Sequence, residues 1–192
     1  MTAVLGKDIP YADIGALRRA LRSDKDSFAY KKSHYAVRDY RQYERWKRIL
    51  GKDNMPKNLA DFQDLKYNNS KQFEMLNDYK FSIENGRMSP LVKFNDYTHM
   101  KQRIENEIIG HRTVNGVEIK SQSKHFIERV FGSVEQRRSG VKLEDIKDCL
   151  TNGEIKKIGQ SDEGESATFI LEGICKVSFN MTTGNLIQTS PD

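Results

Sequence analysis

The sequence contains little cysteine and no long apolar run. Its 192 residues include only 2 cysteines, Cys149 and Cys175, which form no CxxC motif. This excludes a disulfide framework and a cysteine-based zinc site. The 4 histidines are far apart, with no HxH or HxxxH spacing, so we expect no bound metal. No stretch of about 18 apolar residues is present, so we expect no membrane-spanning helix.

Motifs for secretion and for nucleotide binding are also missing. The first residues lack a charged segment followed by an apolar one, so no signal peptide is predicted and we expect a soluble, cytoplasmic protein. Neither GxGxxG nor GxxxxGK[ST] occurs, which gives no support to a nucleotide-binding fold or to a cofactor. Aromatic residues nevertheless make up 9% of the chain, which is too many for a disordered protein.

The net charge of +5 is concentrated near the start of the chain. Residues 1–52 contain 13 Lys and Arg against 6 Asp and Glu, whereas residues 53–192 contain 19 against 21. This distribution predicts a basic helical segment over residues 1–52, attached to a nearly neutral remainder. Its partner would be nucleic acid or an acidic protein surface, or it would have none.

The apolar spacing of residues 12–50 is helical. Ile14, Leu17 and Leu21 predict a short helix, and a second helix runs from a cap at Asp26 or Ser27 to a stop at Gly51. In this second helix aromatic residues alternate with lysines and arginines. One interpretation is a surface that stacks on bases and neutralises phosphates. The other is an amphipathic helix with an aromatic core face and a solvated basic face.

The rest of the chain changes from helical to mixed character. Residues 53–107 read as a linker with short helices, including one from Phe94 to Glu107. Residues 108–192 combine a hairpin at Asn115–Gly116, two helices over 121–131 and 143–150, a polar loop, and strands at 168–171, 174–179 and 185–189. The predicted fold class is α+β: a helical N-terminal region, then a small domain of two helices packed on an antiparallel sheet.

The first of these two helices carries a histidine and an arginine on one face. His125 and Arg129 are four residues apart, beside the apolar positions Phe126 and Val130. An imidazole moves protons near neutral pH and a guanidinium stabilises charge on phosphoryl oxygens. The alternative is a surface histidine, with Arg129 paired to Glu128 or Glu135.

Three motifs of this region, in order, are SKHFIERVFG, GVKLEDIKDCLTNG and TGNLIQTSP. Together they resemble the phage-encoded nuclease domains of the Barnase–EndoU–colicin–RelE-like (BECR) group, found at the ends of phage minor capsid (head morphogenesis) proteins and in bacterial toxins. The resemblance covers residues 108–192. The stretch LGKDNMPKNLADFQDLKYN is similar to the segment that precedes this domain in minor capsid proteins, which extends the resemblance back to Leu50.

The resemblance implies two helices on an antiparallel sheet and metal-independent RNA cleavage without a cofactor. It places the helical histidine of the family at His125, the following basic residue at Arg129, and polar strand residues at Ser166 and Gln188. His125 would transfer a proton while a ribose 2′-OH attacks the adjacent phosphate. Arg129 would stabilise the phosphate, and Ser166 and Gln188 would position it. His111 is a weak candidate for the second proton-transfer group.

Two functions follow from the resemblance as expectations. The first is a toxin-like, phage-associated endoribonuclease whose substrate is RNA, with tRNA as one candidate, and whose partner is a phage structural protein or a cognate immunity protein. The alternative is a non-catalytic virion or regulatory binding module that retains the RNase-like fold. Gln188, where many toxin relatives carry threonine, favours this alternative. The resemblance therefore implies a cytoplasmic or virion-associated protein.

Overall fold

The computed structural model describes residues 28–192, in two units that meet between Lys80 and Phe81. The predicted short helix around Ile14, Leu17 and Leu21 lies outside the described residues. The sequence predicts boundaries after residues 52 and 107, whereas the division at Lys80 falls inside a helix. Among the described residues no helix is both long and apolar enough to cross a membrane.

Helices build the first unit. Helix α1 spans Phe28–Leu50, a 3₁₀ turn follows at Lys52–Asn54, α2 spans Leu59–Asn68, and α3 (Ser70–Glu84) continues into the second unit. Gly51 ends α1 with a φ of 76°, a conformation that glycine adopts without strain. The end predicted for the basic aromatic helix is therefore confirmed.

Aromatic rings form the core of this unit. Tyr43 and Trp46 on α1 are buried, and each has its ring centroid 5.6 Å from that of Phe62 on α2. The Trp46 ring also stacks on Phe73 of α3, with centroids 5.3 Å apart. Arg41 and Arg45 are exposed, so α1 has the amphipathic arrangement. Its buried Tyr and Trp rings are not available for stacking on bases.

A buried carboxylate joins α1 to α2. Asp39 is completely buried and accepts hydrogen bonds from Lys66 Nζ at 2.7 Å, Tyr67 Oη at 2.7 Å and Gln63 Nε2 at 3.3 Å. Burial and the neighbouring Asp39 carboxylate raise the pKa of Tyr67. These bonds satisfy a charge that would otherwise be costly to bury.

The second unit combines helices with a sheet, so the predicted α+β class is confirmed. After α3 come α4 (Phe94–Glu107), β1 (Ser121–Gln122), α5 (Lys124–Phe131), α6 (Leu143–Asn152), β2 (Glu154–Ser161), β3 (Gly164–Leu171), β4 (Cys175–Asn180) and β5 (Asn185–Pro191). The hairpin predicted at Asn115–Gly116 is present. Arg112 and Glu118 form an antiparallel bridge, and Gly116 has a φ of 82°.

The sheet differs from the prediction in two respects. Its strand order is β1-β5-β4-β3-β2, and β1 pairs with β5 in parallel, so the sheet is mixed rather than antiparallel. The segment predicted as a polar loop before Gly164 contains the edge strand β2, which pairs with β3 along its length. Its polar sequence, EIKKIGQS, fits an edge strand with few buried positions.

One face of the sheet is apolar and the other is polar. Phe169, Val177 and Thr189 are cross-strand neighbours on the apolar face, and all three are buried. Helix α6 packs against β3 and β4, and α5 packs beside β5. On the opposite face Thr168, Ser178 and Gln188 are neighbours and remain partly or fully exposed. The core of the unit therefore lies between the helices and the apolar face.

Two further sets of contacts connect elements of this unit. Arg103 on α4 bonds Glu107 Oε1 at 2.7 Å and Glu144 Oε1 on α6 at 2.8 Å. Both cysteines are buried, as the sequence predicts, and the Cys175 thiol donates to the Asp145 carbonyl at 3.5 Å. The neighbouring Cys149 thiol and burial raise the pKa of Cys175, which disfavours the reactive thiolate.

Candidate active site

Helix α5 positions His125 and Arg129. The Ser123 side chain caps its first turn by accepting from the Phe126 amide at 3.0 Å, and the Ser123 hydroxyl donates to the Ile187 carbonyl at 2.7 Å. The helix is therefore joined to β5 at its first turn. Three of its apolar residues, Phe126, Ile127 and Val130, are buried. Capping and burial together hold the helix at a defined orientation.

Both ring nitrogens of His125 have partners on the same helix. Nδ1 lies 3.0 Å from Glu128 Oε2, and Arg129 Nε donates to Nε2 at 3.1 Å. Because arginine has only donors and a carboxylate has only acceptors, these partners assign the proton to Nδ1 and the lone pair to Nε2. His125 is thereby held in the tautomer that can accept a proton at Nε2. Its side chain is 39% exposed.

Glu128 is the buried member of this arrangement. Its side chain is 1% exposed, and Oε1 accepts a hydrogen bond from the Ser82 hydroxyl at 2.7 Å. Arg87 NH1 lies 3.8 Å from Oε2, the oxygen that also faces His125. A buried carboxylate with these partners fixes the orientation of the imidazole and stabilises the imidazolium that forms when His125 takes up a proton.

Two arginines lie close to the imidazole. Arg129 donates to its Nε2, and Arg87 NH1 lies 3.8 Å from Glu128 Oε2, the oxygen that faces its Nδ1. Lys124 Nζ is 4.0 Å from the centroid of the Phe81 ring, and Arg87 Cζ is 5.0 Å from it. The two guanidinium groups favour an anionic ligand such as a phosphodiester.

Comparisons with known proteins do not assign this chain to a family. No family model, curated protein sequence or solved structure matches this chain. The function is therefore argued from the geometry of the residues themselves.

The other two predicted site residues lie on the sheet. Ser166 opens the pairing of β3 with β4, and its hydroxyl donates to the Gly159 carbonyl at 3.4 Å. Gln188 is exposed on β5. The alternation of strand residues puts both side chains on the polar face of the sheet. Within residues 28–192 no hydrogen bond joins either of them to His125 or Arg129.

The structure therefore brings one pair of the predicted residues together. His125 and Arg129 are hydrogen-bonded on α5, while Ser166 and Gln188 share the polar face. His111 has an exposed side chain beside the hairpin that precedes β1. The part of the chain that the structure describes contains no group of three or more His, Cys, Asp or Glu side chains arranged as a metal site.

Sequence reasoning misses the residues that come from elsewhere in the chain. Ser82 is 46 residues before Glu128, and no motif links the two. The sequence predicts Glu128 only as a surface partner of Arg129, whereas the structure places it in the core and pairs it with His125. The one available signal is the i, i+3 spacing from His125 to Glu128, which puts the carboxylate within reach of the ring.

Proposed function

We propose that this chain is a metal-independent endoribonuclease that cleaves RNA by attack of a ribose 2′-OH on the adjacent phosphate. The observation that carries the proposal is the hydrogen-bonded series from Glu128 through His125 to Arg129. A carboxylate, an imidazole with a defined acceptor nitrogen and a guanidinium are the groups that this reaction uses. The proposal includes a BECR-like domain of phage or toxin origin, which two helices beside a sheet support.

In the proposed reaction His125 Nε2 removes the proton from the 2′-OH, and the 2′-oxygen bonds to phosphorus. The bond from phosphorus to the 5′-oxygen breaks, and that oxygen takes up a proton from water. Glu128 then stabilises the imidazolium through Nδ1–H. The guanidinium of Arg129 leaves Nε2 and donates to the phosphate oxygens, where negative charge builds up. This exchange frees the base only when a phosphate is present. Ser166 and Gln188, on the polar face of the sheet, take no part in this step.

Cleavage of total RNA in EDTA tests the proposal. The wild-type protein should produce fragments that end in 2′,3′-cyclic phosphate. Because a positioned base contributes about 10²–10⁴-fold to the rate, His125→Ala should lose nearly all activity. His99→Ala is the matched control, since it removes an exposed histidine of the same unit that has no proposed role, and it should keep most of the activity. Equal activity of wild type and His125→Ala would exclude His125 from the site.

One observation favours a second function, a non-catalytic binding module. The nitrogen that a base would use is already hydrogen-bonded to Arg129, and Ser166 and Gln188 do not bond to this pair. As a module, the same cations would hold RNA, tRNA among the candidates, or an acidic surface of a phage structural or immunity protein. Salt-dependent RNA binding without cleavage by any of the variants would support this function over the nuclease.

A further inference from the structure

Helix α1 carries three arginines in line on its solvent face. Arg41, Arg45 and Arg48 follow one another at spacings of four and three residues, so they lie on one face of the helix. All three are exposed, whereas Tyr43 and Trp46 on the opposite face are buried. We refer to Arg41, Arg45 and Arg48 as the arginine stripe. The stripe is about 10 Å long, because an α-helix rises about 1.5 Å per residue.

The arginine stripe has little negative charge beside it. Within the part of the chain that the structure describes, Arg41 and Arg45 have no ion pair and no side-chain hydrogen bond. Arg48 Nε donates to the backbone carbonyl of Glu44 at 3.4 Å. The Glu44 carboxylate itself lies 3.8 Å from Lys47 Nζ. The guanidinium groups of the stripe are therefore not neutralised by the carboxylates of their own helix.

This arrangement differs from that of Arg103 on α4, which bonds both Glu107 and Glu144. Like charges three and four residues apart repel each other and destabilise a helix. Core packing does not require these arginines, since all three side chains of the stripe are exposed. An anion with several charges in a row would relieve the repulsion and accept hydrogen bonds from the guanidinium groups.

We propose that the arginine stripe binds the phosphodiester backbone of a nucleic-acid strand, RNA and DNA alike. A stacked strand has one phosphate about every 3.4 Å, so about three phosphates lie opposite the stripe. This regular series of charges favours the backbone over an acidic protein surface, whose carboxylates have no fixed repeat. Because the Tyr43 and Trp46 rings are buried, the contacts are with phosphates and not with bases. The inference goes beyond the proposed function, since it concerns the first unit and does not depend on His125.

The salt dependence of binding tests this inference. The probe is a fluorescein-labelled single strand of DNA, which lacks the attacking 2′-OH, and its affinity for the full chain is measured by anisotropy at several salt concentrations. Each phosphate contact contributes about 0.7 to the slope of log affinity against log salt. The triple variant Arg41→Gln, Arg45→Gln, Arg48→Gln should therefore reduce the magnitude of the slope by about 2. Lysine at the same three positions keeps the charges and should keep the slope.

The matched control has the same change in net charge at other positions. Lys57, Lys71 and Lys142 are exposed and lie outside α1, and their joint replacement by glutamine should change the slope by less than one contact. The fluorescence of Trp46 should show a denaturation midpoint no lower than that of wild type in every variant, because the replaced side chains are exposed.

The outcomes separate this inference from the nuclease. His125→Ala should bind the DNA strand with the wild-type slope, so either proposal can fail while the other stands. A fully 2′-O-methylated RNA strand of the same sequence should bind with a similar slope, and binding of RNA but not of DNA would overturn the inference. An unchanged slope in the glutamine variant of the stripe, or an equal loss in the lysine control, would also overturn it. So would failure of the folded wild type to bind either strand.

Discussion

Replacing Ser82 with alanine tests whether the Glu128 carboxylate is held by hydrogen bonds within the core. Ser82 is completely buried, Glu128 is 1% exposed, and the Ser82 hydroxyl donates to Oε1 at 2.7 Å. Alanine removes this donor and leaves the carboxylate buried with one partner fewer. Because a charged group cannot recover the lost bond from water at this depth, the full effect of the bond should be measurable.

The expected loss follows from the type of bond. A hydrogen bond to a charged group contributes about 1.5–3 kcal/mol to stability. Ser82→Ala should therefore lower the free energy of unfolding of the second unit by about 1.5–3 kcal/mol, which reduces the folding equilibrium constant by about 10- to 150-fold. The matched control is Ser121→Ala. Its hydroxyl bonds the neutral Asn185 side chain at 3.0 Å on the exposed surface, and we expect a change within about 0.5 kcal/mol.

Amide hydrogen exchange in β4 is the suitable assay. This strand lies between β3 and β5, so its amides exchange when the sheet itself opens and report the stability of the second unit. Exchange in β4 should accelerate in Ser82→Ala by the factor given above and remain nearly unchanged in Ser121→Ala. If the two variants exchange alike, Glu128 is not stabilised by Ser82, and this buried hydrogen bond does not hold the carboxylate in place.

Three further predictions concern other parts of the molecule. The new Cβ of Gly132→Ala would lie 2.4 Å from a backbone nitrogen, and the alanine would have to adopt a φ of 71°. Chemical denaturation should therefore show a loss of about 1–3 kcal/mol in the free energy of unfolding. Arg103 lowers the pKa of Glu107 and Glu144. Its contribution to stability is therefore present above the pKa that these groups have in the unfolded chain, about 4.3, and is lost as the pH falls. Thermal melts of Arg103→Met and wild type should therefore differ at pH 7 and converge near pH 3. Asp39→Ala removes a completely buried partner of a lysine and should cost the first unit about 3–5 kcal/mol, measured by the fluorescence of the single tryptophan.

The helices were predictable because their signals are local. The sequence predicts the helix Phe94–Glu107 with the same bounds that the structure has, and Gly51 marks the end of α1. Strand β1 could not be predicted, because its two residues pair only with β5, far along the chain. The sequence predicts a loop where β2 lies, because the polar residues of this strand and Gly159 have the composition of a turn. Edge strands bury too little to show a clear alternation.

The part of the candidate site that lies on one helix was also predictable, because its signal is local. The i, i+4 spacing of His125 and Arg129 is a property of one helix, and the structure joins the two by a hydrogen bond. The contribution of Ser82 and Arg87 depends on how α3 and the following loop pack against α5, which no short pattern encodes. The placement of Ser166 and Gln188 on one face of the sheet likewise depends on strand register rather than on spacing in the sequence.

The position of β5 has a consequence for the order of folding. This strand lies between β1 and β4, and its first residue bonds Ser121, which is 64 residues earlier. Loop closure over such a distance is slow compared with the closing of a hairpin. The β2–β3 and β3–β4 hairpins should form first, and β5 should join them before β1 completes the sheet. Helix α5, which directly follows β1, would then gain its final orientation last, so the His125 environment should mature in the slowest folding phase.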